Sequence, residues 1–170
     1  FLDNGITMDM THKIISLFGA KAKEIVLENP YILMEKIERF GFKKNDAFAL
    51  KLGIEENSMI RLKALTGYVL EEALYSAGNS YICRSDLYIF ATKYINKEID
   101  GKVFNEVIAI LEKEKKVYID EADNIYDYKM YIQEIELARG IAKILKGTTD
   151  DNKKPPVYDN ESIAAEYQKI

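Results

Sequence analysis

The segment ENPYILMEKIERFGFKKNDAFALKLGI, residues 28–54, decides the fold of the first part of the chain. Its apolar residues recur at helical spacing on both sides of Gly41, and the second run ends at Gly53. Asn29 followed by Pro30 is typical of a helix start, because Asn caps free N–H groups and Pro fits the first helical position. The segment therefore predicts two short helices joined by a tight, glycine-bearing turn.

A turn of this kind exposes backbone N–H groups at the start of its second helix, where the helix dipole also favours a negative charge. Such a site suits a phosphate oxygen, and glycine lets the phosphate approach closely. Residues 36–51 carry five basic side chains against Glu38 and Asp46, a local charge of +3. We predict contacts to the DNA backbone, which read no base sequence, at this turn. The predicted DNA-binding residues are Arg39, Phe40, Gly41, Phe42, Lys43, Lys44 and Asn45. The spacing leaves a second interpretation open, a compact helical corner with solvated lysines.

Outside this hairpin the pattern predicts helices upstream and a mixed module downstream. The predicted helices are about 7–18, 20–28, 30–37, 43–52, 59–77, 86–95, 102–115 and 129–146, and the predicted strands are 80–83, 117–120 and 125–128. The order after residue 57 is that of a winged-helix domain. The expected fold class is mainly α: helix-hairpin-helix repeats followed by a winged-helix-like α+β module with a small β-hairpin.

Three regions are expected along the chain. Residues 1–56 form the helix-hairpin-helix region, whose first hairpin, at Gly5-Ile6, is expected to be truncated at the N-terminus. Residues 57–147 form the winged-helix-like module. Residues 148–170 form a Pro-Pro-containing linker and the start of a further domain.

The composition excludes most kinds of catalytic site from this segment. One His and one Cys cannot build a multi-histidine or multi-cysteine metal site. The only Gly-Lys pair, Gly101-Lys102, has Asn96 where a phosphate loop needs its first glycine. We expect no catalytic residue, no metal ligand and no cofactor here. The unpaired Cys83, expected to be a buried apolar residue in a strand, indicates a reducing, cytoplasmic compartment, and no apolar run is long enough for a membrane span.

The expected wing, residues 118–128, argues against DNA contact by the second module. It holds Asp120, Glu121, Asp123 and Asp127 and no basic side chain. Carboxylates facing phosphate are repelled, so the pattern favours scaffolding or protein contact. Several tyrosines lie near this wing, and we expect them to pack in the strands and core, with stacking on bases as the alternative.

Residues 28–54 resemble the helix-hairpin-helix segment of RecD-like DNA helicases, which are related to the alpha subunit of exonuclease V. The resemblance continues through FLDNGIT at 1–7, GYVLEEA at 67–73 and YIQEIELARGIAKIL at 131–145. Two positions depart from the family pattern: Arg39 replaces a hairpin glycine, and Asn45 replaces a small residue.

The resemblance implies a parent protein that is an ATP-dependent 5′–3′ DNA helicase of recombination and repair. Its motor domains would follow residue 170 and use ATP and Mg²⁺. This chain would be an accessory N-terminal region that binds single-stranded or junction DNA, docks on the motor, or does both. A protein-interaction module without DNA contact is the alternative. A repair glycosylase would need a longer glycine-rich hairpin and a base-flipping pocket.

Overall fold

A computed structural model describes residues 6–38, 40–95 and 97–145, and the chain divides into two compact units, Phe1–Tyr131 and Ile132–Ile170. The helices are α1 (Met8–Phe18), α2 (Ala22–Glu28), α3 (Ile32–Lys36), α4 (Phe42–Lys51), α5 (Met59–Ala77), α6 (Arg84–Ile95), α7 (Gly101–Lys113) and α8 (Tyr128–Leu145). The strands are β1 (Tyr81–Cys83), β2 (Val117–Ile119) and β3 (Asn124–Asp127). The predicted mainly α fold with a small β-hairpin is confirmed.

The helix starts follow their capping chemistry. Thr7 Oγ1 accepts the Met10 N–H at the start of α1, and Asp100 Oδ1 accepts the N–H groups of Lys102 and Val103 at the start of α7. At the end of α5, Gly78 adopts the left-handed conformation with φ of 65°, which glycine reaches without a steric penalty.

Two predicted helix starts are displaced. A 3-10 turn at Gly19–Lys21 delays α2, because Gly19 has a positive φ that interrupts the α-helical path. Pro30 lies in a turn before α3 rather than at its first position. Asn29 Oδ1 still accepts the Tyr31 N–H at 3.1 Å, so Asn29 caps that turn.

The three strands form one antiparallel sheet in the order β1-β3-β2. Ile82 pairs with Ile125 and Ile119 pairs with Ile125, and these isoleucines pack into the core. Because side chains alternate along a strand, the residues between them lie on the outer face. The order of elements from α5 to β3 agrees with the predicted helix, strand, helix, helix, strand, strand.

Helix α4 is shared by two hydrophobic cores. Phe48 packs in the first core, with Ile14 and Leu33, whereas Phe42 and Ala49 pack in the second core. The second core also holds the buried side chains of α5, α6, α7 and the sheet: Leu62, Leu65, Leu74, Leu87, Val107, Ile108 and Ile125. The helix is therefore anchored in both cores, by Phe42 in its first turn and by Phe48 in its last.

The first compact unit contains both predicted modules as far as Tyr131, and the domain boundaries at 56 and 147 stay predictions. The predicted linker and further domain, 148–170, lie outside the described residues. Among the helices that the structure describes, none is long and apolar enough to cross a bilayer.

Candidate nucleic-acid interface

The turn between α3 and α4 is built on two buried phenylalanines. Phe40 belongs to the first core and Phe42 to the second, and both side chains are almost fully buried. The Phe40 N–H donates to the Ile37 carbonyl at 3.2 Å, which closes the turn. The side chains of Phe40 and Phe42 therefore fix the turn, and only their backbone could meet a phosphate. Arg39, which precedes Phe40 in the predicted site, lies outside the described residues.

The first turn of α4 has no side-chain cap among the described residues. Gly41 is the N-cap, with φ of −67° and ψ of 164°, and its carbonyl accepts the Asn45 N–H at 3.2 Å. A Cβ built on Gly41 would meet no atom within 4 Å. Glycine is thus not required here by the backbone or by neighbours, and the space beside the free N–H groups is open.

Two lysines border this helix start. Lys43 and Lys44 are exposed in the first turn of α4. The Lys43 ammonium lies 5.9 Å from the centroid of the Tyr94 ring, within the range of a cation–π contact. Tyr94 in turn packs edge-on against Phe42, with ring centroids 5.6 Å apart. The lysines add positive charge where the helix dipole is already positive.

A half-buried ionic network fixes α4 from its inner side. Asp46 Oδ1 accepts the Tyr31 hydroxyl at 2.6 Å and the Arg61 Nε–H at 2.8 Å. Asp46 Oδ2 accepts Arg61 Nη2–H at 2.8 Å, which makes the pair bidentate. Arg61 Nη1 donates to the Glu56 carbonyl, so α5 and the loop before it are tied to α4.

This network shifts the pKa values of two of its members. Burial and the hydrogen bond to Asp46 raise the pKa of Tyr31, and the hydrogen bond to Asp46 also raises the pKa of Arg61. Asp46 is therefore paired inward with Arg61. Because Arg61 balances its charge, Asp46 offsets the lysines of the hairpin less than a residue count suggests.

Asn45 is the last residue of the predicted site, and it is fully buried. Among the described residues, neither its Nδ2 nor its Oδ1 has a hydrogen-bond partner. An unpaired buried amide costs free energy. Its side chain cannot reach a ligand at the surface, so its only possible contribution to such a site is the backbone.

The carboxylates of the β2–β3 turn mostly have internal partners. Asp120 accepts from the N–H groups of Ala122 and Asn124, from Asn124 Nδ2 and from the Tyr126 hydroxyl. Asp123 pairs with Arg84, whose Nη2 lies 2.7 Å from Asp123 Oδ1. Asp127 Oδ1 caps α8 by accepting the Met130 N–H. The expected acidic wing is therefore mainly a structural turn.

The single cysteine and the single histidine are both exposed. Cys83 is exposed, so its predicted burial is wrong: Cys83 alternates with the core residue Ile82 and faces outward, with Sγ 3.5 Å from Asn124 Oδ1. His12 is exposed on α1, and the described part of the chain holds no cluster of metal-ligating side chains.

The fold and this site define a class: a small helical domain with a helical hairpin, in which a glycine-capped helix start and two lysines lie beside open space. Residues 1–81 match the family model of the ATP-dependent RecD2 DNA helicase HHH domain. Residues 1–81 are thus similar to that helix-hairpin-helix domain, and the resemblance deduced from the sequence is confirmed over them. The match ends at Tyr81, and the resemblance over residues 82–146 stays a prediction.

Proposed function

We propose that this chain is an accessory N-terminal region of an ATP-dependent 5′–3′ DNA helicase and that residues 39–45 hold the DNA backbone without reading its sequence. The observation that carries the proposal is the uncapped start of α4. Free N–H groups, open space beside Gly41 and exposed Lys43 and Lys44 meet there.

The proposal includes what the chain would meet in the parent protein. Its partners would be single-stranded or junction DNA and the motor domains after residue 170. Those motor domains would bind ATP and Mg²⁺, whereas this chain would bind neither. The setting would be cytoplasmic DNA recombination and repair. The winged-helix-like order of α5 to β3 supports a second module that scaffolds the motor.

Charge reversal at the hairpin tests the proposal. The Lys43→Glu/Lys44→Glu double variant should bind both duplex and single-stranded oligonucleotides more weakly than the wild type at low salt. The matched control is Lys21→Glu/Lys23→Glu, because these two lysines are exposed but lie away from the start of α4. Thermal unfolding measured in parallel checks that both variants fold. Equal affinities of the two double variants would rule out the hairpin as the contact.

The wild-type salt dependence gives an independent measurement. If Arg39, Lys43 and Lys44 neutralise about three phosphates, the slope of log K against log salt should be about −2 to −3. Fluorescence anisotropy between about 25 and 200 mM salt would measure it. A slope near zero would contradict backbone contact.

A protein-interaction role without DNA contact is the second candidate. Three large apolar side chains of α1 are more than half exposed, and such surfaces often contact proteins: Met8, Ile15 and Leu17. Wild-type chain that binds no oligonucleotide at low salt but binds the isolated motor domains would favour this candidate over the first.

A further inference from the structure

Four tyrosine rings pack together at the outer face of the sheet: Tyr118, Tyr126 and Tyr131 contact one another, and Tyr81 contacts Tyr126. Tyr81, Tyr126 and Tyr118 are direct cross-strand neighbours in the order β1-β3-β2. The ring centroids are 5.3 Å apart for Tyr81 and Tyr126 and 6.0 Å apart for Tyr126 and Tyr118. Tyr131, in the first turn of α8, stacks on Tyr118 at 3.7 Å. We call these four residues the tyrosine row.

The tyrosine row is ordered at one end and open at the other. Tyr118, Tyr126 and Tyr131 are half-buried against one another, and the Tyr126 hydroxyl donates to Asp120 Oδ2 at 3.1 Å. Tyr81, at the edge of the sheet, keeps 48% of its surface exposed. A ligand that stacks on Tyr81 would therefore meet rings already held in place, and little side-chain entropy would be lost on binding.

The charges beside the row oppose phosphate less than the sequence suggests. Arg84 pairs with Asp123, and the Asp120 oxygens accept hydrogen bonds from within the turn. Of the carboxylates in this turn, only Glu121 has no partner among the described residues. Next to Tyr81 and Tyr126 on the same face lie the uncharged side chains of Cys83 and Asn124.

We propose that the tyrosine row binds single-stranded DNA by stacking its unpaired bases, with Tyr81 as the first ring that a base meets. Every base has a flat π face, so a line of rings holds a strand without selecting a sequence. Duplex DNA does not fit, because its bases are already stacked on one another. The choice of DNA follows from the helicase-type domain that ends at Tyr81. The row is separate from the hairpin, and its ligand contacts are to bases rather than to phosphates.

The test compares two probes on the full 170-residue chain: oligo(dT) and an abasic oligodeoxynucleotide of the same length. Tyr81→Ala should weaken oligo(dT) binding by about 5- to 100-fold, the range expected for loss of one stacked base, and leave abasic binding unchanged. Tyr81→Phe, which keeps the ring, should bind oligo(dT) like the wild type. Tyr81→Leu keeps an apolar contact with Tyr126 but has no π face, so it should lose the same oligo(dT) affinity as Tyr81→Ala. It therefore provides the test if the alanine variant does not fold.

Tyr75 provides the matched control, because it is 70% exposed on α5 and lies outside the row. Tyr75→Ala should leave the preference for oligo(dT) over the abasic probe intact. The hairpin double variant Lys43→Glu/Lys44→Glu should lower binding of both probes by the same factor and preserve their ratio. A result that contradicts the hairpin proposal can therefore be distinguished from one that contradicts the tyrosine-row proposal.

Three results would overturn the proposal. The first is equal wild-type affinity for oligo(dT) and the abasic probe. The second is unchanged oligo(dT) binding by folded Tyr81→Leu. The third is tighter binding of oligo(U) than of oligo(dT) by the wild type, which would assign the row to RNA. If the proposal holds, a photo-crosslink from a 5-iodouracil-substituted oligonucleotide should map to the peptide that contains Tyr81.

Discussion

At the scale of one residue, a substitution of Gly41 should lower DNA affinity with little effect on stability. Its φ of −67° is available to any residue, and an added Cβ meets nothing within 4 Å. Gly41→Ala should therefore change the free energy of unfolding by less than about 1 kcal/mol, the cost of a poorer N-cap. The same Cβ would enter the space that a phosphate needs, so DNA affinity should fall. Chemical denaturation and anisotropy on one preparation measure both quantities, and an unchanged affinity would place the DNA elsewhere.

Asp46 is the residue whose loss should cost the fold most. Asp46→Ala would leave Arg61, only 7% exposed, without its carboxylate, and should lower the free energy of unfolding by about 3 kcal/mol. Urea denaturation measures this change. The Glu56 side chain makes an exposed ion pair with Lys97, so Glu56→Ala is the control and should have little effect. If the double variant Asp46→Leu/Arg61→Met is as unstable as Asp46→Ala, the unpaired Arg61 is not the cause.

The role of Asp46 could not be deduced from the sequence. As one acidic residue among lysines, it was counted with the surface charge of the hairpin. Its partners Tyr31 and Arg61 are each separated from it by 15 residues in the chain. Only the packing of α4 against α5 brings them together. The exposure of Cys83 was missed for a similar reason, because the register of a three-residue strand decides which face each side chain occupies.

At the scale of the element, the β2–β3 turn should give the fold a pH dependence. The Asn124 amide lowers the pKa of Asp120, and Arg84 lowers the pKa of Asp123. Groups with a lowered pKa stabilise the fold above their ordinary pKa, and this contribution is lost as the pH falls through the lowered value. Thermal stability should therefore drop below about pH 4. Asp120→Asn should lower stability at pH 7 and make the acid drop smaller, whereas Glu121→Gln should leave the profile unchanged.

The ends of helices could be predicted where a residue next to the helix in the sequence determines them. The helix α5 ends at residue 77, as predicted, because Gly78 closes it, and α7 begins at Gly101, one residue before its predicted start. The α3 start was less predictable, because an Asn-Pro pair serves both a helix start and the capped turn that is found. Of the predicted site, the lysines and Gly41 lie together at the surface, whereas Phe40, Phe42 and Asn45 are buried. Periodicity alone could not assign them, because a short helix that contacts two cores has two apolar faces.

At the scale of the whole molecule, the chain should have no motor activity of its own. It has no Gly-Lys-Ser/Thr sequence for a phosphate loop. The purified chain should not hydrolyse ATP above a buffer control or unwind a forked duplex. A coupled phosphate-release assay checks this, with and without single-stranded DNA. Turnover that co-purifies with the chain and is stimulated by DNA would contradict it.

A second whole-molecule prediction concerns the boundary at residue 56. A chain cut there loses Arg61, Leu62 and Leu65, so Asp46 loses its ion pair and Phe42 loses much of its apolar contact. We expect residues 1–56 to be largely unfolded by circular dichroism. Residues 1–131, which form one compact unit, should fold. A cooperative melt of the short chain would show that the first core is sufficient alone.

The anchoring of α4 in two cores also has a mechanical consequence. Under the proposed function, a DNA strand held at the hairpin under tension would pull on α4, and the load would divide between Phe48 in one core and Phe42 and Ala49 in the other. The bidentate Asp46–Arg61 pair passes part of that load to the long helix α5. A helix held on one side would tilt under the same pull. Under the proposed function, the hairpin would thus resist a pull on bound DNA rather than yield to it.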